Sequence, residues 1–380
     1  MRSSLLLALG ASLLVACAST DETTAASTPQ PSGPATPSTP DPCAEGQYRH
    51  DDGACGGFAS LAVARSPVTI APIRDHHTSI IVETSAGPFL YVFGGTDDWA
   101  SIHADVQRAR IAEDGSLGAF EPAGTLPEPR AGHCILQLKD KIFIGGGVVA
   151  GNGKQGTTKG SLLVTLGADG KVASTTPGPE MPNTAMHLTC ELDKDNLYVF
   201  GGRMSNSHSS KMSARAKLAA DGTLGAFQNT TQLSPDRSHH ASVVHAGRVW
   251  IIGGLTGDPT GEYEDHDDIV SAPILDDGAL GEWTTAGKLP QKLSVSAAKV
   301  VDGAIYLFGG LEGLLFTDKI QRATWNDDGS LTKFEVLPAK LPDARGHVHQ
   351  LPVYKGHLYS IGGKGGSGSL GTVDIATFAK

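Results

Sequence analysis

Five histidines recur behind turn-forming segments at a near-constant interval: His77, His133, His187, His240 and His347. An arginine stands just before four of them, at Arg74, Arg130, Arg237 and Arg345, in stretches such as LPEPRAGH and SPDRSHH. Gathered at one mouth of a channel, these side chains would offer guanidinium groups to an anion or sugar, and imidazoles for metal binding. The competing role is structural, with each Arg and His satisfying turn carbonyls or a neighbouring unit's backbone. The structural role is the expected one, because the motif recurs in nearly every unit whereas a catalytic site breaks symmetry. A ring this wide is also expected to hold its imidazoles too far apart for one metal ion.

Segments that depart from the repetition are the better place for a binding site. TDDWASIHAD (96–105) carries Asp97, Asp98 and Trp99, and the indole is a stacking face for a sugar ring or a partner surface. LTGDPTGEYEDHDD (255–268) gathers Glu262, Glu264, Asp265, Asp267 and Asp268. Such closely spaced oxygen donors suit Ca2+, but the EF-hand spacing is absent and a solvated acidic loop is expected. No other cofactor is expected. The chain contains no G-x-S-x-G elbow, HExxH or P-loop sequence, so no catalytic residue is assigned.

The elements that must position these residues announce themselves by repetition. LYVFGG (90–95), KIFIGG (141–146), LYVFGG (197–202), VWIIGG (249–254), IYLFGG (305–310) and LYSIGG (358–363) start 51, 56, 52, 56 and 53 residues apart. Each is a short apolar run without clean alternation, as in a strand buried on both faces. The pairs Gly94-Gly95, Gly145-Gly146 and Gly201-Gly202 end the first three runs, and Gly253-Gly254, Gly309-Gly310 and Gly362-Gly363 the others. Glycine is expected there because a side chain would crowd the next sheet and φ above zero is needed. Asp-Gly follows about twenty residues later at 114, 169, 221, 277 and 328, read as a two-residue hairpin turn. An aromatic follows in four cases, at Phe120, Phe227, Trp283 and Phe334.

On these signals the chain resembles a Kelch-type β-propeller over roughly residues 60–380, each glycine pair matching that family's own. It departs from the pattern in that, of the tyrosine and tryptophan that usually follow the glycines at set distances, only the aromatics Phe120, Phe227, Trp283 and Phe334 approximate the second. The resemblance implies an all-β fold: a six-bladed β-propeller of four-stranded antiparallel blades. The last repeat is cut short at Lys380, so an N-terminal strand within 59–73 is expected to complete the final blade beside 370–379, removing an open edge.

The remaining N-terminal residues read as an address. Residues 1–16 form a signal peptide with an apolar core too short to span a bilayer, ending in Leu-Val-Ala-Cys, which resembles the lipobox of bacterial lipoproteins. Cys17 is then the lipidated residue, and 17–42 is a tether rich in Pro, Ser and Thr. Residues 43–57 form a small loop closed by a Cys43–Cys55 disulfide, and the propeller occupies 58–380. Cys134 and Cys190 are expected to be small core hydrophobes.

A net charge of −10 gives no electrostatic reason to seek nucleic acid. The sequence therefore points to a monomeric, lipid-anchored protein of the bacterial cell envelope, most naturally at the outer membrane. Its expected role is non-enzymatic: a binding or scaffold protein whose loops contact a protein or glycan. The alternative is a carbohydrate-active enzyme, similar to the Kelch-built sialic-acid mutarotases or to a lyase, with its site at the channel mouth. A galactose-oxidase-like copper site has no matching residue set.

Overall fold

The computed structural model describes residues 48–49, 55–56, 60–151, 154–258 and 260–379. All lie in the compact unit Pro42–Lys380. Cys17, the 17–42 tether and Cys43 lie outside the described residues, and so does the Cys43–Cys55 bridge. Within 43–57 the described ladder pairs Tyr48–Arg49 with Cys55–Gly56.

Each apolar phrase builds the second strand of a four-stranded antiparallel sheet. A run without a polar face must be covered on both sides, and Leu90 to Phe93 and Leu197 to Phe200 are all completely buried. Six such sheets occur among the described residues. The first orders Thr78–Thr84, Gly87–Phe93, Asp105–Arg110 and Glu121–Thr125, and the next four repeat that order from Cys134–Leu138, Thr189–Asp193, Ala241–His245 and Ala297–Val301. The sixth runs Val353–Tyr354, His357–Ile361, Thr372–Ala379, and takes its outer strand, Ser60–Thr69, from the other end of the described chain. The register runs from Ser60 opposite Ala379 to Arg65 opposite Asp374.

The sheets cover one another in succession. One apolar cluster joins Tyr91 and Phe93 of the first sheet to Ile142 and Ile144 of the second. Others join the second to the third, the third to the fourth, the fourth to the fifth and the fifth to the sixth. A further cluster brings Tyr359 and Ile361 of the sixth against Leu90 and Val92 of the first. The architecture is thus all-β, with four-stranded antiparallel sheets packed face to face in the manner of a β-propeller.

Polar stitches cross the same interfaces. Tyr91 Oη donates to the Gly170 carbonyl at 2.5 Å, Tyr198 to Gly278 at 2.7 Å and Tyr359 to Gly115 at 2.8 Å. The Asp-Gly turns are therefore docking points for the preceding sheet's tyrosine. They are not two-residue turns: Ile111 bridges Leu117, and the Ala112 amide donates to Ser116 across a five-residue loop. The side chain of Asp114 caps that loop by accepting from the Ser116 amide, which a bare two-residue turn would not allow.

The glycine pairs sit where sheets approach most closely. Gly309 has φ +58°, and a Cβ on it would lie 2.2 Å from the Arg345 carbonyl oxygen in the segment entering the next sheet. In the second sheet the pair with positive φ is Gly146-Gly147, while Gly145 is the last strand residue, so the repeat is one position later there than 145–146. A second correction concerns cysteine. Cys134 and Cys190 are not separate core hydrophobes but a disulfide, with Cα atoms 5.8 Å apart. They share a cluster because Cys134 is the first residue and Cys190 the second residue of the first strands of their sheets, and those strands are neighbours.

Candidate functional site

The chain segments entering the first strands carry a second, closed repeat. His76, Gly132, His187, His239, Val295 and His347 all have φ between 50° and 64°. Each amide donates to the carbonyl of its predecessor: Gly132 to His76 at 2.7 Å, His187 to Gly132 at 2.9 Å and His239 to His187 at 3.1 Å. Val295 donates to His239 at 2.8 Å, His347 to Val295 at 3.1 Å, and His76 to His347 at 3.2 Å, which completes the cycle.

This cycle corrects the assumed equivalence of the five histidines. His187 and His347 belong to it, whereas His77, His133 and His240 come one residue later and point elsewhere. His133 Nε2 hydrogen-bonds with Thr78 Oγ1 at 2.7 Å, and His240 Nε2 with Thr189 Oγ1 at 2.9 Å, each linking neighbouring first strands.

The arginines also turn away from the opening. Arg74, Arg130, Arg237 and Arg345 are at most 1% exposed. Each Nη1 donates to a glycine carbonyl: Gly94 at 2.8 Å, Gly146 at 2.6 Å, Gly253 at 3.0 Å and Gly362 at 2.9 Å. Carboxylates balance the buried charge. Asp105 and Asp268 engage Arg74 and Arg237 in two-pronged pairs, Glu128 takes Arg130 at 2.6 Å, and Asp374 takes Arg345 at 2.5 Å. These four arginines hold the glycine turns in place.

The imidazoles of the cycle do converge. Ring centroids lie 3.7 Å apart for His187 and His239, 4.1 Å for His76 and His347, and 4.8 Å for His76 and His187. Ring nitrogens of His76, His187 and His347 all fall within 4.8 Å of one another. Of the five histidines expected to stand too far apart for one ion, His187 and His347 join His76 in this cluster, while His77, His133 and His240 do not. The left-handed backbone at each position turns the side chains inward instead of around the rim.

Burial dominates their electrostatics. Desolvation pulls His76, His187, His239 and His347 well below the ordinary histidine range, with further lowering from neighbouring imidazoles or nearby cations. His349 beside them is lowered to about 4, again by burial, with the Asp75 charge opposing. The rings are accordingly neutral at pH 7, each with one donor and one acceptor nitrogen. His76 Nδ1 contacts Asp75, which also accepts from Ser369 Oγ at 2.6 Å. His239 Nδ1 is 2.8 Å from Ser238 Oγ. The Nδ1 atoms of His187 and His347 are buried without a hydrogen-bond partner among the described residues.

These rings divide two cavities. On one side lies an open cavity of about 420 Å³, whose walls include Trp99, Arg203, Lys364, Thr157 and Met186. Trp99 packs on His76 with centroids 4.8 Å apart. Arg203 lies over the Tyr263 ring and donates to Ser207 Oγ at 3.0 Å, and Lys364 pairs with Asp98. On the other side a cavity of about 170 Å³ runs between first strands, sharing His187, His239 and His347 and adding His349, Glu191 and Lys299. Burial pushes the Glu191 carboxyl up to about 7, against the opposing pull of the Ser242 hydrogen bond and the Lys299 charge. Ser242 Oγ donates to it at 2.6 Å.

Of the loop candidates, Trp99 lines the open cavity and Asp98 pairs with Lys364 of its wall, while Asp97 accepts from the Ser101 amide at 2.5 Å. The acidic run does not gather. Asp268 is held by Arg237 and Asp267 by Lys288 at 3.2 Å, while Glu262 and Glu264 are exposed. Among the described residues no three of its carboxylates converge on a point. His76, His239, Arg203 and Lys364 were not singled out from sequence. Arg203 and Lys364 each directly follow a glycine pair, and their backbones bridge Met186 and Gly346, the residues just before the imidazole cycle.

No protein-family model matches the chain. It is 25% identical over 248 residues to beta-scruin of Limulus polyphemus, covering 62% of this chain and 25% of that protein. It is 23% identical over 228 residues to the Kelch-like protein terF of Aspergillus terreus, covering 54% and 47%. Human Kelch domain-containing protein 10 is 25% identical over 185 residues, covering 46% and 41%. The chain thus spans between a quarter and about half of the length of these curated relatives. Among solved structures, that of YjhT superposes with a TM-score of 0.63 at 12% identity, covering 81% of this chain and 95% of the other. The fold is therefore Kelch-repeat-like and β-propeller-like, distantly related to eukaryotic Kelch proteins, and such a fold offers a binding surface at its loop face.

Proposed function

We propose that the chain is a carbohydrate-active protein, mutarotase-like, whose open cavity receives an acidic monosaccharide. One observation carries the reading: a single cavity of about 420 Å³ joins the Trp99 indole, the cations Arg203 and Lys364, and a floor of neutral imidazoles. An indole face suits the apolar side of a sugar ring, and two cations suit a carboxylate substituent. Anomeric exchange needs one proton taken from the anomeric hydroxyl and one given to the ring oxygen as the C–O bond opens. Closure on the opposite face reverses both transfers, so no oxidant or net proton is required. Adjacent neutral imidazoles supply an acceptor and a donor for that exchange. Proton NMR of freshly dissolved sialic acid tests this reading. Faster anomer equilibration with the purified chain supports it, and binding without faster equilibration reduces it to a sugar-binding protein.

The binding or scaffold reading retains its own support. Leu314 and Leu315 are 93% and 75% exposed on the hairpin turn after the fifth glycine pair, where a protein partner could cover them.

The six sheets read most simply as the blades of one closed six-bladed propeller. The cycle of six backbone hydrogen bonds, the cluster joining the sixth sheet to the first, and the Ser60–Thr69 strand support that closure. Export and membrane anchoring through Cys17 are supported by the lipobox-like LVAC, with the outer membrane as the proposed location. The Cys134–Cys190 disulfide fits that location, since oxidising compartments preserve such bonds. In a cell fractionation, Cys17→Ser should move the protein from the membrane to the soluble fraction, and unchanged retention would remove the anchor.

A further inference from the structure

We propose that His76, His187 and His347 form a three-imidazole site for a divalent transition metal of the zinc class, with its open position facing the Trp99 cavity. This inference rests on the histidine geometry and does not depend on the sugar reading, although the two would share one chamber.

Three ligand nitrogens within 4.8 Å of one another leave a point no farther than about 2.8 Å from each. Zinc–imidazole bonds are about 2.0–2.1 Å, so closing on an ion with a tetrahedral open position needs movements of at most about 0.9 Å per ligand. The ligands come from the segments entering three different sheets, at positions locked by the backbone cycle, so the site is built into the fold.

The supporting groups match a metal centre. Asp75 holds Nδ1 of His76 and is itself fixed by Ser369, which leaves Nε2 of His76 free as a ligand. A carboxylate behind a ligating histidine sets its tautomer and raises its basicity. His187 is 3% exposed and its Nδ1 has no partner among the described residues, an unusual cost for a buried polar group unless something else engages the ring. His239 stacks on His187 but is tied to Ser238, which places it as a support. A three-nitrogen set with one open position is the pattern of catalytic zinc sites. Arg203 and Lys364 line that open side, so the fourth ligand would be anionic, a carboxylate or bicarbonate.

Untagged full-length chain in detergent, stripped with a chelator, should be titrated with Zn2+ and, separately, with Co2+. The expected result is one Zn2+ per chain at micromolar or lower concentration, and visible Co2+ bands of tetrahedral or five-coordinate type. His187→Ala and His347→Ala should each weaken binding by tenfold or more, while His357→Ala, at the opposite end of its sheet, should leave it unchanged. Should the alanine variants fail to fold, His76→Gln read with the wild-type Co2+ spectrum decides the matter. Absence of such bands with wild-type protein, or equal loss in His357→Ala, overturns the proposal. Failure here leaves anomer exchange by metal-free imidazoles intact, and the sialic acid experiment run in chelator separates the two.

Discussion

Cys134 and Cys190 join the first strands of the second and third sheets by a disulfide that spans 56 residues of sequence. It sits in an apolar cluster with Leu188, Leu197 and Phe143, so it ties two sheets together at a place already packed. Chain entropy for a loop of this size contributes about 4 kcal/mol. The double variant Cys134→Ala, Cys190→Ala should lose stability on that order in chemical denaturation. Non-reducing peptide mapping should recover the linked pair.

Asp374 is fully buried and accepts from Arg65 Nε and Arg345 Nη2, each at 2.5 Å. It therefore ties the terminal strand pair to the glycine turn of the sixth sheet. Asp374→Ala would leave the buried Arg345 without this partner, and a loss of about 3–5 kcal/mol is expected in urea unfolding. Asp105→Ala should cost much less, since Asp105 is 37% exposed and water can replace it at Arg74.

Gly309→Ala sets a Cβ against the Arg345 carbonyl at 2.2 Å in a left-handed backbone. Backbone cannot retreat as a flexible side chain would, so a loss of at least about 2 kcal/mol is expected. Gly366→Ala, where nothing lies within 4 Å, should be near neutral when both variants are compared by thermal melting.

Glu191 gives a pH dependence with a definite sign. Its folded pKa is raised to about 7 from the ordinary 4.5, so between those values the folded chain holds a proton that the unfolded chain has released. Its contribution is full below about 4.5 and is lost as pH rises toward 7, by up to roughly 3 kcal/mol. Glu191→Gln should flatten the pH–stability curve in that window, measured by denaturation at a series of pH values.

Much of the fold is legible in the sequence because backbone necessity leaves a mark that side-chain exchange cannot erase. Only glycine fits where a Cβ would meet the next sheet, so the six pairs persist and locate six second strands. The strand within 59–73 is legible because the last repeat stops before its fourth strand. The site is less legible. Counting from each arginine, the cycle falls two residues later, at His76, Gly132, His239 and His347; counting by histidine instead mixes it with His77, His133 and His240. A left-handed backbone accommodates Gly, His and even Val, so residue type alone does not reveal the position. The disulfide was hidden for another reason, since its two cysteines meet only after neighbouring sheets pack.

Saturation-transfer NMR with an acidic sugar and its neutral counterpart tests the central claim most directly. Sialic acid should show transfer to wild-type protein, and Arg203→Ala with Lys364→Ala should weaken that binding at least tenfold, while a neutral hexose should show little. Equal transfer to both sugars, or sialic acid binding that ignores both substitutions, would contradict a cavity built for an anionic sugar above an imidazole floor.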